Sequence, residues 1–141
     1  MIRTLYDEGF FVIASGGGGI PVLKDPESGT IRGVEAVIDK DHSAAVLGKI
    51  LGAQVLLILT DVDNVYLNYE RPGQQPLGRI TVGEAQRHMK AGHFLKGSMR
   101  PKIESAIRFL RSGGEVAIVT SPELAEKALA GRAGTIITPG P

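Results

Sequence analysis

Cysteine is absent from the 141 residues, which excludes a disulfide-stapled scaffold and a thiolate metal centre and suits a reducing compartment. Net charge is nearly absent as well: 16 Lys and Arg oppose 15 Asp and Glu, a formal +1. No global field therefore draws the chain to nucleic acid or to an acidic membrane surface. Aromatic residues make up 5% of the chain. Tyr6, Tyr66 and Tyr69 form no stacking ladder, and no basic stripe runs beside them, so a nucleic-acid platform is excluded. His42, His88 and His93 lack metal-ligand spacing and read as surface or capping residues. No apolar run approaches the roughly 18 residues of a spanning helix. The first eight residues carry charges where a signal peptide needs its apolar stretch. Repeats and low-complexity tracts are missing too. The expectation is a soluble, cytoplasmic chain.

What is present is ordinary in bulk and unusual in detail. The length fits one domain over residues 1–141, with a hydrophobic fraction of 43% and a charged fraction of 22%. The unusual detail is Ser15-Gly16-Gly17-Gly18-Gly19-Ile20-Pro21, which follows the apolar run Phe10-Phe11-Val12-Ile13-Ala14. That run reads as a strand buried on both faces. Four glycines after such a strand let the backbone take φ > 0 and turn its N–H groups toward an anion, a phosphate, a carboxylate or both. A run of glycines is also the commonest flexible turn. Neither the Walker A spacing nor the dinucleotide G-x-G-x-x-G spacing fits, because Gly19 leads into Ile20-Pro21-Val22-Leu23-Lys24.

The rest of the chain supplies the context. Ile2 and Leu5 read as the last turns of a helix closed by Gly9, and Val22–Leu23 and Thr30–Val34 as a β-hairpin around Pro26 and Gly29. A helix is predicted from Asp41, as N-cap, to about Leu51, with Ala44, Leu47 and Leu51 on one face and Gly52 as its stop. Val55–Leu59 is a second apolar strand, and residues 68–78 read as an exposed loop. Thr81-Val82-Gly83-Glu84 fits a capping box opening a helix to about Ala91. A longer helix runs from near Ser98 to Ser112 on the spacing of Ile103, Ala106, Ile107 and Leu110. Val116–Val119 is a third buried strand, Ser121-Pro122 caps a last helix ending at Gly131, and Thr135–Ile137 is a final short strand. Strands alternating with helices predict a parallel sheet covered on both faces, with ligands beyond the carboxyl ends of its strands. Those ends are Ser15-Gly16, Thr60-Asp61 and Thr120-Ser121, all polar or glycine.

Phosphoryl transfer asks a protein for charge neutralisation and alignment rather than covalent help. Lys40, beside a helix start and between Asp39 and Asp41, and Lys102, in the first turns of the Ser98 helix, are placed to neutralise an anion. Each also has the plain reading of a solvated surface charge. Asp61 and Asp63 at a strand end can orient Mg²⁺-bound water, hold a ribose or cap the turn.

Five segments in order resemble carbamate kinases of the amino-acid kinase superfamily. They are Val12–Val22 with its S-G-G-G-G-I-P-V run, Gly33–Asp41, Leu59–Asp63 with Val65-Tyr66, the stretch Gly92-His93-Phe94, Gly97-Ser98-Met99 and Pro101-Lys102, and Gly131–Thr135. Kinases for uridylate or acetylglutamate share the Asp-Val-Asp stretch, but the glycine run points to the carbamate branch. The resemblance implies a three-layer αβα sandwich with a mainly parallel sheet, a homodimer, and the reaction ATP + carbamate ⇌ ADP + carbamoyl phosphate with Mg²⁺. It implies that Lys40 and Lys102 contact the phosphates and that Asp41 organises the lysines. Thr60, Asp61, Val62, Asp63, Tyr66 and Met99 would line the nucleotide pocket together with Lys102. Ser15, Gly16, Gly17, Gly18 and Gly19 would border the carbamate and the transferred group. No residue is assigned to a resident metal. Asn64 stands where the family often has Gly, and Asn tolerates the left-handed conformation that Gly would take there. Arg100 stands at a variable position.

Family members are roughly twice as long, so the resemblance implies that this chain corresponds to their C-terminal half, the nucleotide-binding lobe. An N-terminal acceptor half, with its own glycine loop and a further lysine, would be needed for activity, and an apolar face and a sheet edge would lie open without it. The rival expectations are a nucleotide-binding module without catalysis and an inactive fragment that does not fold.

Overall fold

The architecture is that of a computed structural model, which describes residues 1–140. In chain order the elements are α1 (Ile2–Asp7), the hairpin strands β1 (Val22–Lys24) and β2 (Ile31–Gly33), α2 (Lys40–Leu51), β3 (Val55–Leu59), β4 (Tyr66–Leu67), β5 (Gln75–Pro76), β6 (Arg79–Thr81), α3 (Val82–Lys90), α4 (Met99–Arg111), β7 (Val116–Thr120), a single 3₁₀ turn (Pro122–Leu124), α5 (Ala125–Leu129) and β8 (Thr135–Thr138). The central sheet has the order β3-β7-β8-β6. Its β3–β7 and β6–β8 ladders are parallel, and its middle ladder, β7–β8, is antiparallel. The sheet is thus mixed, and mainly parallel as expected.

Alternation along the strands divides two apolar layers. Leu56 and Ile58 of β3, Ala117 and Val119 of β7 and Ile137 of β8 join the core shared with α2, α3 and α4. Leu57, Ile118 and Ile136 face the other way, toward Ala128 of α5. Helices on both faces give the expected αβα layering, although one short helix covers the second face thinly. Phe109 anchors the larger layer between two glycines. A Cβ at Gly114 would lie 2.2 Å from its ring and one at Gly48 2.8 Å. This close approach turns the buried side of α2 toward Ala45 and Gly48, leaving the predicted Ala44, Leu47 and Leu51 half-buried beside it.

Several expectations hold because they are local. The hairpin closes on Asp25, whose carboxylate accepts from the Glu27 and Ser28 amides at 3.0 and 2.7 Å. Those bonds hold its pKa below the usual carboxylate value. The Thr81–Glu84 capping box is complete at the start of α3. It holds the Glu84 carboxyl below its ordinary range, first through the Thr81 backbone N–H and then through the Thr81 hydroxyl.

Others are corrected. Phe10–Ala14 forms no strand. Phe11 and Ile13 are fully exposed, because no neighbouring backbone satisfies a ladder there. Asp39, rather than Asp41, caps α2, accepting from the His42 amide at 2.9 Å. Residues 68–78 are exposed for the most part, yet they contain β5 and the buried Leu77, and β6 follows at once. Asn64 has no positive φ; its amide instead donates to Leu77 O at 3.0 Å.

Candidate active site

Two helix N-termini meet at one carboxylate. Asp41, in the first turn of α2, is buried, and its Oδ2 accepts from Lys102 Nζ of α4 at 3.1 Å. Lys40 Nζ lies 3.9 Å from the same oxygen, with its side chain 60% exposed. Two positive groups therefore share one negative one where both helix dipoles favour an anion. Lys102 is enclosed beside its partner, whereas Lys40 is free to reach outward. One turn further along α4, the buried Ser105 Oγ lies 3.2 Å from His42 Nδ1. His42, part-buried, therefore braces α2 against α4 rather than capping a helix.

The glycine loop is tied to the same place. Ser43 Oγ of α2 donates to Gly18 O at 2.6 Å. Gly18 has φ 138°, and a Cβ there would stand 2.1 Å from Ile38 O, so only glycine fits. Its own N–H is used within the loop, donating to Ser15 O at 2.8 Å. Gly16, Gly17 and Gly19 have nothing within 4 Å of the position a Cβ would take. Ser15 takes a left-handed φ of 68° as the loop begins.

A cleft opens at the start of α4, beyond the carboxyl end of β3. It is lined by Asp61 and Val62 after β3, by Tyr66 and Tyr69, and by Phe94 and Met99 before and at the helix start. The rings of Tyr66 and Tyr69 are 5.8 Å apart and tilted, which leaves flat apolar faces for a planar group. Met99 and Lys102 lie one turn apart on α4, so the cleft and the lysine pair share a helix end.

The predicted nucleotide residues divide between lining and structure. Asp61, Val62, Tyr66 and Met99 line the cleft, but Thr60 and Asp63 do not. Thr60 Oγ1 donates to Asp61 Oδ1 at 3.1 Å. Asp63 Oδ1 accepts from Ser121 Oγ at 2.6 Å, and Asp63 O accepts from Thr120 Oγ1 at 3.1 Å. Ser121 thus holds Asp63 rather than capping the turn after β7, where it makes no side-chain cap bond. Tyr69, Leu95 and Ser98 also line the cleft without having been named as site residues from the sequence, and so does His93, which is therefore more than a surface or capping residue. Leu95 and Ser98 fall within or beside the matching Gly92–Lys102 stretch, and Tyr69 lay hidden in the presumed loop. Among the described residues no cluster of three or more His, Cys, Asp or Glu could hold a metal ion, and no helix is long and apolar enough to cross a membrane.

The amino acid kinase family model matches residues 1–121. The chain is 47% identical over 138 residues to a carbamate kinase of Thermoplasma volcanium, covering 98% of this chain and 45% of that relative. It is 49% identical over 135 residues to a carbamate kinase of Thermococcus kodakarensis, covering 96% and 42%. Among solved structures it matches the Giardia lamblia carbamate kinase bound to AMP-PNP with a TM-score of 0.93 and 44% identity, covering 97% of this chain and 47% of that one. The chain spans less than half the length of these relatives.

Proposed function

The chain belongs to the amino acid kinase family, and from that membership we propose that it is the C-terminal, nucleotide-handling portion of a carbamate kinase-type phosphotransferase. The reaction is ATP + carbamate ⇌ ADP + carbamoyl phosphate. The observation that carries this reading is the Lys40–Asp41–Lys102 group at two converging helix starts, with the glycine loop tethered beside it.

The chemistry follows from the charges. A phosphoryl group in flight spreads negative charge over its oxygens, and catalysis consists of holding it in line and neutralising that charge. Asp41 holds Lys102 in place, and Lys40 approaches the transferred group from the solvent side. The free loop amides at Gly16, Gly17 and Gly19 add fixed donors near the acceptor. Tyr66, Val62 and Met99 hold the base, and Asp61 stands at the cleft mouth. Mg²⁺ suits the nucleotide's own phosphates rather than a protein cage, since among the described residues no cluster of three or more His, Cys, Asp or Glu could hold it. When bound it neutralises phosphate charge. The acceptor side of the site, and the homodimer contact of the family, are assigned to the longer protein, working in the cytoplasm.

The test is phosphorylation of ADP by carbamoyl phosphate, with the chain alone and mixed with a separately expressed N-terminal half of a relative. ADP binding without turnover alone, and turnover on mixing, is expected. Full turnover alone overturns the need for a second half. ADP binding with no rescue favours a nucleotide-binding module without catalysis.

A further inference from the structure

One edge of the cleft has its proton positions fixed by a residue outside it. Asn68 sits in the left-handed region at φ 51°, and its Nδ2 donates to Gly73 O at 3.3 Å. A carbonyl only accepts, so this bond orients the amide and turns Oδ1, also an acceptor, toward His93. His93 Nδ1 lies 3.1 Å from that oxygen. Nδ1 must therefore carry the ring proton, which leaves Nε2 of the neutral ring with a lone pair. The opposite tautomer is the one free imidazole side chains prefer. The ring is also braced edge-on by His88, with centroids 5.8 Å apart at 71°.

Nε2 has no partner of its own. No side-chain N or O atom among the described residues is buried without a hydrogen bond, so Nε2 is open to solvent. The ring borders the cleft with Tyr66, Tyr69, Phe94 and Met99, and the other polar residues of its lining are Asp61 and Ser98.

We propose that His93 is a specificity-determining residue, its Nε2 lone pair selecting a nucleotide whose base carries an exocyclic amino group, and that Asn68 is the positioning residue that fixes its tautomer. The proposal rests on the reading of the cleft as the nucleotide site. An amino group donates to Nε2. A 6-oxo base would instead set a carbonyl lone pair against it and leave both acceptors without a proton, a loss of about tenfold or more in affinity.

Long-range ¹H–¹⁵N NMR of the chain reads the tautomer directly, and calorimetric titration with ADP and inosine diphosphate reads the selection. Expected are an Nδ1–H tautomer at His93 and ADP binding about tenfold tighter than inosine diphosphate. Asn68→Gly keeps the left-handed backbone and should shift His93 toward Nε2–H and shrink the ratio. His93→Phe keeps the ring's bulk and should bring the ratio close to one, even if Asn68→Gly fails to fold. An Nε2–H tautomer in the unaltered chain, or an ADP preference unchanged in His93→Phe, overturns the proposal while leaving the nucleotide site intact. An Nδ1–H tautomer with no ADP binding overturns the reading of the cleft itself, and the proposal with it.

Discussion

Val55-Leu56-Leu57-Ile58-Leu59 and Phe10-Phe11-Val12-Ile13-Ala14 are two apolar pentapeptides with β-branched residues, and only the first becomes a strand. Composition does not separate them. The first lies against Val116–Thr120, residue for residue in parallel register, and buries Leu56 and Ile58 against α2 and α4. The second joins no ladder. Phe11 is 105% exposed and Ile13 101%, and Phe10, Phe11 and Val12 line an open pocket together with Leu47 and Leu51 of α2. A strand is a property of a pair, and apolarity alone states only that a segment can gain by being covered. Within the described sheet β3 is an edge, with β7 on one side only. The open edge and the exposed arm are the surfaces that the proposed N-terminal half would cover.

The contrast can be tested from its strongest side first. Phe109→Ala empties the space between Gly48 and Gly114 and should cost about 3–5 kcal/mol, read as a lower urea midpoint. Asp41→Ala should cost a similar amount, about 3–5 kcal/mol, because it leaves Lys102 enclosed without its partner. If either proves neutral, the body is no better packed than the arm and the comparison fails. Thr81→Ala removes one arm of the α3 capping box and should cost about 1 kcal/mol. Phe11→Ser with Ile13→Ser should change stability by no more than about 0.5 kcal/mol, as exposed positions do. The same pair should reduce self-association in sedimentation. A large loss of stability there would mean that the arm is packed after all.

The smallest effect concerns acid. Burial, then His93 and Arg87, lower the His88 pKa from its ordinary 6.5, with Glu84 opposing. Above that value neither state is protonated and the contribution is complete. As pH falls below about 6.5 the unfolded chain takes up a proton that the folded one resists, so stability declines until the lowered folded value is passed. His88→Gln should flatten this slope in urea melts across that window, and the exposed arm should show no counterpart.

What could be read in advance was what neighbours in sequence decide. Thr81 and Glu84 are three residues apart, and the period from Ile103 to Leu110 is one helix face. Lys40 and Lys102 each stand beside a helix start that the sequence marks. That the two starts meet at Asp41 was legible only through the resemblance, since 61 positions separate the partners. Thr135 shows what was out of reach. Its Oγ1 accepts from Val65 N at 2.8 Å and donates to Leu77 O at 2.5 Å, a stitch across three segments that no local pattern announces. The same holds for Ser121, whose position before Pro122 announces a cap while its hydroxyl is spent on Asp63. Tyr69 went unnoticed in the cleft because its surroundings in sequence, rich in Pro and Gly, describe the path of the chain and not where the ring lies.

The place of β8 has a consequence for how the chain is made. Thr135–Thr138 lies between β7 and β6, and β6 has no other neighbour in the sheet. Both flanking strands leave the ribosome before it does. Until residue 138 emerges, Arg79–Thr81 has no ladder to join, and β7 is paired along one edge only, with β3. The sheet therefore closes from its middle and last. Until then only the β3–β7 half of the sheet can form, and β6 waits on β8 to be joined to it.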